Sequence, residues 1–143
     1  MKLLDVNILI YAYDSSSARH DDSRTLLEEH LSDTETVGFA WTVLLAFLRL
    51  STKPTIFESP LSIDEAFDII DSWLDQPNSI VVHPTDRHSI VMRELLSTLG
   101  SGGNLTSDAH LGALSIEHGA ELWSYDSDFS RFTGVRWFDP LKR

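Results

Sequence analysis

Short apolar runs alternate with amphipathic stretches of helical length from one end of this chain to the other, and that alternation restricts the fold more than any other feature. KLLD at residues 2 to 5, VGFA at 37 to 40, SIVVH at 79 to 83, ELWSY at 121 to 125 and VRWFD at 135 to 139 read as strands. Residues 19 to 32 read as a surface helix with Leu26, Leu27 and Leu31 inward, and the apolar stretch from Trp41 as a buried helix stopped by Pro54. Ser62 with Glu65 three residues on is a capping box. It opens a helix that turns Ala66, Phe67, Ile69, Ile70, Trp73 and Leu74 to one side and stops at Pro77. Residues 86 to 99 form a helix closed by Gly100, and LTSDAHLGALSIEHG, after the SGGN turn, forms one ending at Gly119. DSDFSRF is a short helical turn. NILIYAY at 7 to 13 fits helix or strand, and periodicity alone does not choose between them. Strands separated by helices of this length imply an α/β fold: a central, mostly parallel sheet covered by helices on both faces.

The 143 residues fit a single domain spanning 1 to 143, with no repeat or linker, able to bury roughly two thirds of its unfolded surface. The absence of cysteine removes disulfides, thiolate zinc sites and cysteine nucleophiles, and points to a reducing cytoplasm. The longest apolar runs, 8 to 13 and 43 to 48, are too short to span a membrane, so no membrane partner is expected. A net charge of −11 argues against duplex binding through general phosphate attraction. The acid is concentrated at residues 58 to 75, where Glu58, Asp64, Glu65, Asp68, Asp71 and Asp75 stand without a base; residues 129 to 143 carry Arg131, Arg136, Lys142 and Arg143 against Asp139 alone. A basic partner suits this chain better than a polyanion, and nucleic acid could approach only with positive charge in between.

In parallel α/β sheets, ligands gather beyond the carboxyl ends of the strands. Asp5 ends the first strand, Asp126 and Asp128 follow ELWSY, and Asp108 lies in the opening turn of the helix after the glycine loop. Each also has a plainer role: an Asp after a strand caps a helix, and Asp108 complements a helix N-terminus. Asp5 fits that plainer role less well, because it sits between LL and VNILI, where a charge is costly to bury without a partner. Four carboxylates converging from three segments, with no nearby Lys or Arg in sequence, repel one another, and a hard divalent cation held by oxygen relieves that repulsion.

LDVNILIYA, the AFLR segment and GNLTSDAHLGALSIEHGAELWSYDSDF together resemble the PIN-domain family, in particular the VapC-type toxins of bacterial toxin-antitoxin pairs. The resemblance covers nearly the whole chain. It implies a three-layer α/β/α nuclease that cuts RNA with Mg²⁺ or Mn²⁺, leaving 5′-phosphate and 3′-hydroxyl ends. It also implies a homodimer and a cognate antitoxin that wraps the acidic surface and presents an arginine to the carboxylates. Matched residue by residue, Asp5, Asp108 and Asp126 are the acidic metal ligands, Asp128 stands alongside them as a catalytic acid, and Asn7 and Ser124 are the accompanying small polar residues. One position departs: family members usually carry a glutamate three residues before the arginine that matches Arg49, and here Ala46 stands there. Glu117, nine residues after Asp108 on the same helix, faces the opposite way and is no replacement. The alternative reading is therefore a catalytically weakened PIN-like interaction module.

Other chemistries find little support. The six histidines show no metal-binding spacing and read as surface or core residues, with His110 on a different helix face from Asp108. DSDFSRF lacks the glycine and distal glutamate of a calcium loop, and no GxSxG, P-loop or GxGxxG occurs. The four tryptophans read as core or interface. A receiver domain shares the fold class but needs paired acids after the first strand, an Asp where His83 stands and a late Lys. Arg87, Arg131 and Arg136 are candidates for contacts to an RNA backbone.

Overall fold

The computed structural model describes residues 1–142; Arg143 of the basic tail lies outside the described residues. Five strands, β1 (Lys2–Leu4), β2 (Val37–Ala40), β3 (Ser79–Val82), β4 (Glu121–Trp123) and β5 (Trp137–Phe138), form one sheet in the order β3-β2-β1-β4-β5, with every pair parallel. Six α-helices flank it: α1 (Val6–Tyr13), α2 (His20–Ser32), α3 (Trp41–Ser51), α4 (Ile63–Leu74), α5 (His88–Leu99) and α6 (Thr106–Glu117). This is the three-layer α/β/α architecture expected from the alternation. The chain runs outward from β1 through β2 to β3, then crosses back to β4 on the other side of β1. The strand order therefore reverses between β1 and β4, where such sheets open a crevice at their carboxyl ends.

Residues 7 to 13, left open by periodicity, belong to helix α1. β2 ends at Ala40 and β4 at Trp123, level with the end of β1, so no neighbouring strand remains to pair residues beyond Asp5, and the Asp5 carboxylate accepts from the Val6 N–H to start the helix. Ile8 and Leu9 are buried within a core that also holds Leu3, Leu4, Phe39, Leu44, Phe47 and Leu122.

The capping box of α4 is present in both directions: Glu65 N–H donates to Ser62 Oγ and Ser62 N–H to Glu65 Oε1, each at 3.1 Å. The helix buries Ala66, Ile70 and Trp73 and keeps its acids in solvent, whereas Phe67, expected inward, is 40% exposed. Trp41 is likewise 42% exposed, and Trp73 is buried. Gly100 closes α5 at φ 68°, a left-handed conformation that glycine adopts without a Cβ penalty.

The last two strands are shorter than the sequence suggests. Beyond Trp123 the Tyr125 N–H turns to Asn7 Oδ1 at 3.3 Å and the Trp137 indole N–H takes the Ser124 carbonyl at 2.9 Å, so side chains replace the ladder where the site begins. Among the described residues, no helix is long and apolar enough to cross a membrane.

Candidate metal centre and active site

The crevice between β1 and β4 holds the predicted acids. Asp5 follows β1, tied to β4 by a 3.0 Å bond from its N–H to the Trp123 carbonyl. Its Oδ1 accepts from Val6 N–H at 2.7 Å and its Oδ2 from the Ser124 hydroxyl at 2.7 Å and Asn7 Nδ2 at 3.3 Å. The buried Ser124 hydroxyl also accepts from Asn7 Nδ2 and from the Asp126 N–H, both at 3.0 Å. One hydroxyl thus locks the acid of β1 to the acid after β4, and Asn7 braces both.

Asp126 Oδ1 in turn accepts from the Asp128 N–H at 2.9 Å, fixing the turn on which both stand. Asp108 enters from the first turn of α6. One carboxylate oxygen each from Asp108, Asp126 and Asp128 lies within 4.8 Å of the other two, close enough to share one cation.

The electrostatics match that geometry. Asp108 is pushed up to about 6, first by burial, then by the negative charges of Asp126, Asp5 and Asp128. Asp5 is also raised, chiefly by burial and further by Asp126, against hydrogen bonds from Ser124 and Val6 that favour its ionised form. Among the described residues, the cluster's one ion pair is a loose contact between Asp128 and Arg131 at 4.0 Å. An all-oxygen donor set with uncompensated negative charge fits a hard divalent ion.

Beside the cluster lies a cavity of about 460 Å³ lined by Asp5, Asp108, Thr42, Ala46, Arg49, Met92 and His110, among others. Ala46 contributes only a methyl group, and Arg49 stands one turn further along α3. Arg136 is far from the acids: it pairs with Glu121 at 3.6 Å, at the amino end of β4. Arg19, which carries no signal in sequence, places its guanidinium 4.7 Å from the ring centroid of Tyr125 and 5.7 Å from that of Tyr11, beside the Ser124–Asp126 turn. It comes from the start of α2 and meets Tyr125 only through tertiary packing.

Two histidines also differ from the plain surface or core role. His110, two residues beyond Asp108 on α6, lines the same cavity, although their spacing sets them on different faces of the helix. Its Nδ1 is 2.9 Å from His88 Nε2, and His88 Nδ1 is 2.5 Å from Glu117 Oε2. Burial would raise Glu117, but hydrogen bonds from Thr85 and His88 outweigh it and hold the carboxyl below its usual range. Burial, together with the charge of His88, lowers His110, against the opposite pull of Glu117. Glu117 does face away from the acids, as its spacing from Asp108 predicts.

A parallel α/β/α sheet with four aspartates at its reversal point defines a class, and comparison agrees: the family model of the PIN domain matches residues 2–135. The chain belongs to the PIN-domain family, in its VapC-type branch. It is 46% identical to ribonuclease VapC37 of Mycobacterium tuberculosis over 140 residues, covering 98% of this chain and 97% of that protein. Ribonuclease VapC43 of the same organism is 37% identical over 141 residues, 99% of this chain and 96% of the relative. Among solved structures, VapBC2 from Rickettsia felis bound to a promoter DNA fragment superposes with a TM-score of 0.70 at 17% identity, over 96% of this chain and 97% of that one. VapC20 of M. tuberculosis, described as a Sarcin-Ricin loop cleaving toxin, gives 0.67 at 20% identity, over 95% and 98%.

Proposed function

We propose that this protein is a metal-dependent endoribonuclease, the toxin of a toxin-antitoxin pair, working in the cytoplasm as one catalytic unit and as a homodimer. The observation that carries the reading is the convergence of Asp108, Asp126 and Asp128 within 4.8 Å, beside an Asp5 held by Ser124 and Asn7. The similarity to proteins named ribonuclease VapC supports the activity, and the VapBC complexes among the structural neighbours support an antitoxin partner. The chain's acidic surface suits a basic antitoxin segment.

Asp5, Asp108 and Asp126 are the residues to hold Mg²⁺ or Mn²⁺. Such an ion supplies Lewis acidity toward a phosphate oxygen and makes a bound water easier to deprotonate. Asp128 adds negative charge at the open side of the cluster, where its side chain is 49% exposed. Ser124 and Asn7 keep the Asp5 carboxylate oriented, and Arg49 offers a guanidinium to a phosphodiester entering the cavity.

The test uses purified protein freed of any partner, incubated with total RNA plus Mg²⁺ or EDTA. Cleavage with Mg²⁺ that is lost in EDTA and in Asp5→Asn or Asp108→Asn supports the enzyme. Ala46 in the cavity favours one competing reading, a silent interaction module. No cleavage with Mg²⁺ or with Mn²⁺ in its place, and undiminished binding of the antitoxin, would establish that module instead.

A further inference from the structure

Arg19 is held at the edge of the acid cluster with its charge unpaired. Helix α2 ends at Ser32, and Asp33, which caps it, lies 4.0 Å from Lys2 at the start of β1, so the last turn of α2 is at the amino end of the sheet. Thirteen helical residues span about 20 Å. The first turn of α2 is therefore at the carboxyl end, where the acids stand, and there Arg19 meets Tyr125, two residues beyond β4.

The support beneath Arg19 is fixed by residues that also build the site. Tyr125 sits between Ser124 and Asp126; its N–H donates to Asn7 Oδ1 at 3.3 Å, and its hydroxyl lies 2.7 Å from the buried Ser23 Oγ on α2. Tyr11, one turn after Asn7 on α1, meets the Tyr125 ring edge to face, centroids 5.4 Å apart. The guanidinium lies over both rings.

Arg24, Arg131 and Arg136 each lie within 4.0 Å of a carboxylate. Among the described residues Arg19 has no such partner, although Asp21 and Asp22 stand in the first turn of α2. Nor does its guanidinium meet any hydrogen-bond acceptor there, and none of its nitrogens is buried, so they face solvent. A planar cation held by its face keeps its rim of N–H donors for an oxyanion. Helix stability does not account for the position: positive charge opposes the dipole at a helix N-terminus, and the Arg19 side chain caps nothing.

RNA lying across the aspartates needs a cation at this point. A divalent ion neutralises the phosphate at the reacting centre, but the phosphates on either side meet a chain of net charge −11. Arg49 reaches the cavity from α3, which follows β2, whereas Tyr125 follows β4, and β2 and β4 flank β1 on opposite sides. Arg19 is thus placed to do on the β4 side what Arg49 does on the β2 side.

We propose that Arg19 binds a backbone phosphate of the RNA substrate next to the scissile one, on the β4 side of the acid cluster, with Tyr125 and Tyr11 as its positioning residues. The proposal rests on the ribonuclease function proposed for the aspartate cluster. A basic antitoxin segment would be repelled by this guanidinium, which favours the polyanion as its occupant.

Steady-state cleavage of total RNA with Mg²⁺ by the full chain freed of any partner, over a range of RNA and salt concentrations, tests this. Arg19→Gln keeps a planar group on the rings and removes the charge. It lowers kcat/KM by about 10-fold while kcat at saturating RNA stays within about twofold, because the lost contact is made equally in the bound substrate and the transition state. The slope of log kcat/KM against log salt falls by about 0.7, the share of one phosphate contact on a single strand. Arg19→Lys, which keeps the charge but not the planar fork, restores the slope and part of the rate. Calorimetric Mg²⁺ affinity is unchanged in both variants, which separates lost RNA binding from a disturbed acid cluster. Should Arg19→Gln fail to fold, Arg19→Met, which keeps the apolar stem, carries the same expectation. Wild-type kcat/KM in a folded variant overturns the proposal, and so does any loss of activity that leaves the salt slope intact or lowers Mg²⁺ affinity, the mark of a structural role through Tyr125. Weaker antitoxin capture with unchanged kcat/KM assigns Arg19 to the antitoxin and overturns it equally. In each of these cases cleavage by wild type leaves the ribonuclease function standing; no cleavage by wild type with Mg²⁺ or Mn²⁺ overturns both.

Discussion

Replacing Asp108 by Asn should stabilise the metal-free protein at neutral pH, although it removes a residue the site needs. Folding raises Asp108 from 3.8 to about 6, which means that the folded state disfavours its charge. A rise of that size corresponds to about 3 kcal/mol at full strength. Asp108 is only half-buried, and solvent screening brings the effect to about 1 to 1.5 kcal/mol.

The sign follows from proton linkage. Between pH 3.8 and about 6 the unfolded chain has released this proton and the folded chain still holds it, so stability falls as pH rises through that window and stays low above it. Asparagine carries no such penalty. Urea or thermal unfolding in EDTA, from pH 4 to 8, should give equal stability for wild type and Asp108→Asn at the acid end. By pH 7.5 the variant should lead by about 1 to 1.5 kcal/mol, roughly 2 to 6 °C in Tm for a chain of this size. Added Mn²⁺ should reverse the order, because only wild type gains binding energy from it. A variant no more stable than wild type in EDTA at pH 7.5 would refute the idea that these acids repel one another in a shared pocket.

Two further outcomes follow from the same geometry. Cleavage of RNA should fail on the acid side of about pH 6, where Asp108 takes up a proton, and raising Mg²⁺ should move that limb to lower pH, because the ion competes with the proton for the carboxylate; a limb insensitive to Mg²⁺ would place the controlling group elsewhere. Ser124→Ala removes one donor to Asp5, leaves the Asp126 N–H without its side-chain acceptor and leaves Asn7 Nδ2 with Asp5 alone, so it should cost about 1 to 3 kcal/mol in denaturant unfolding and weaken metal binding by about tenfold or more in titration.

Much of this arrangement is legible in the chain, and the limits of legibility have a physical basis. The alternation of apolar runs with amphipathic helices dictates parallel strands, since a crossover helix returns each strand in the same direction. The Ser62–Glu65 box and Gly100 mark helix ends because caps are local hydrogen-bond and backbone problems, solved within a few residues. Asp5, Asp108 and Asp126 stand out because an acid at a strand end, or in the opening turn of a helix, has few roles besides capping and ligand binding.

Only the folded structure decides the rest. Residues 7 to 13 become helix where the flanking strands β2 and β4 end level with β1 and leave no strand to pair with, a fact set more than thirty residues downstream. Ser124 locks Asp5 across 119 positions of chain, Arg19 rests on Tyr125 from a helix that shares no pattern with it, and Glu117 reaches the cavity through two histidines on two helices. Periodicity records which side of an element is apolar, and so it determines layers and strand ends. Which polar side chains meet once those layers close depends on packing between segments distant in sequence, and no local pattern encodes that.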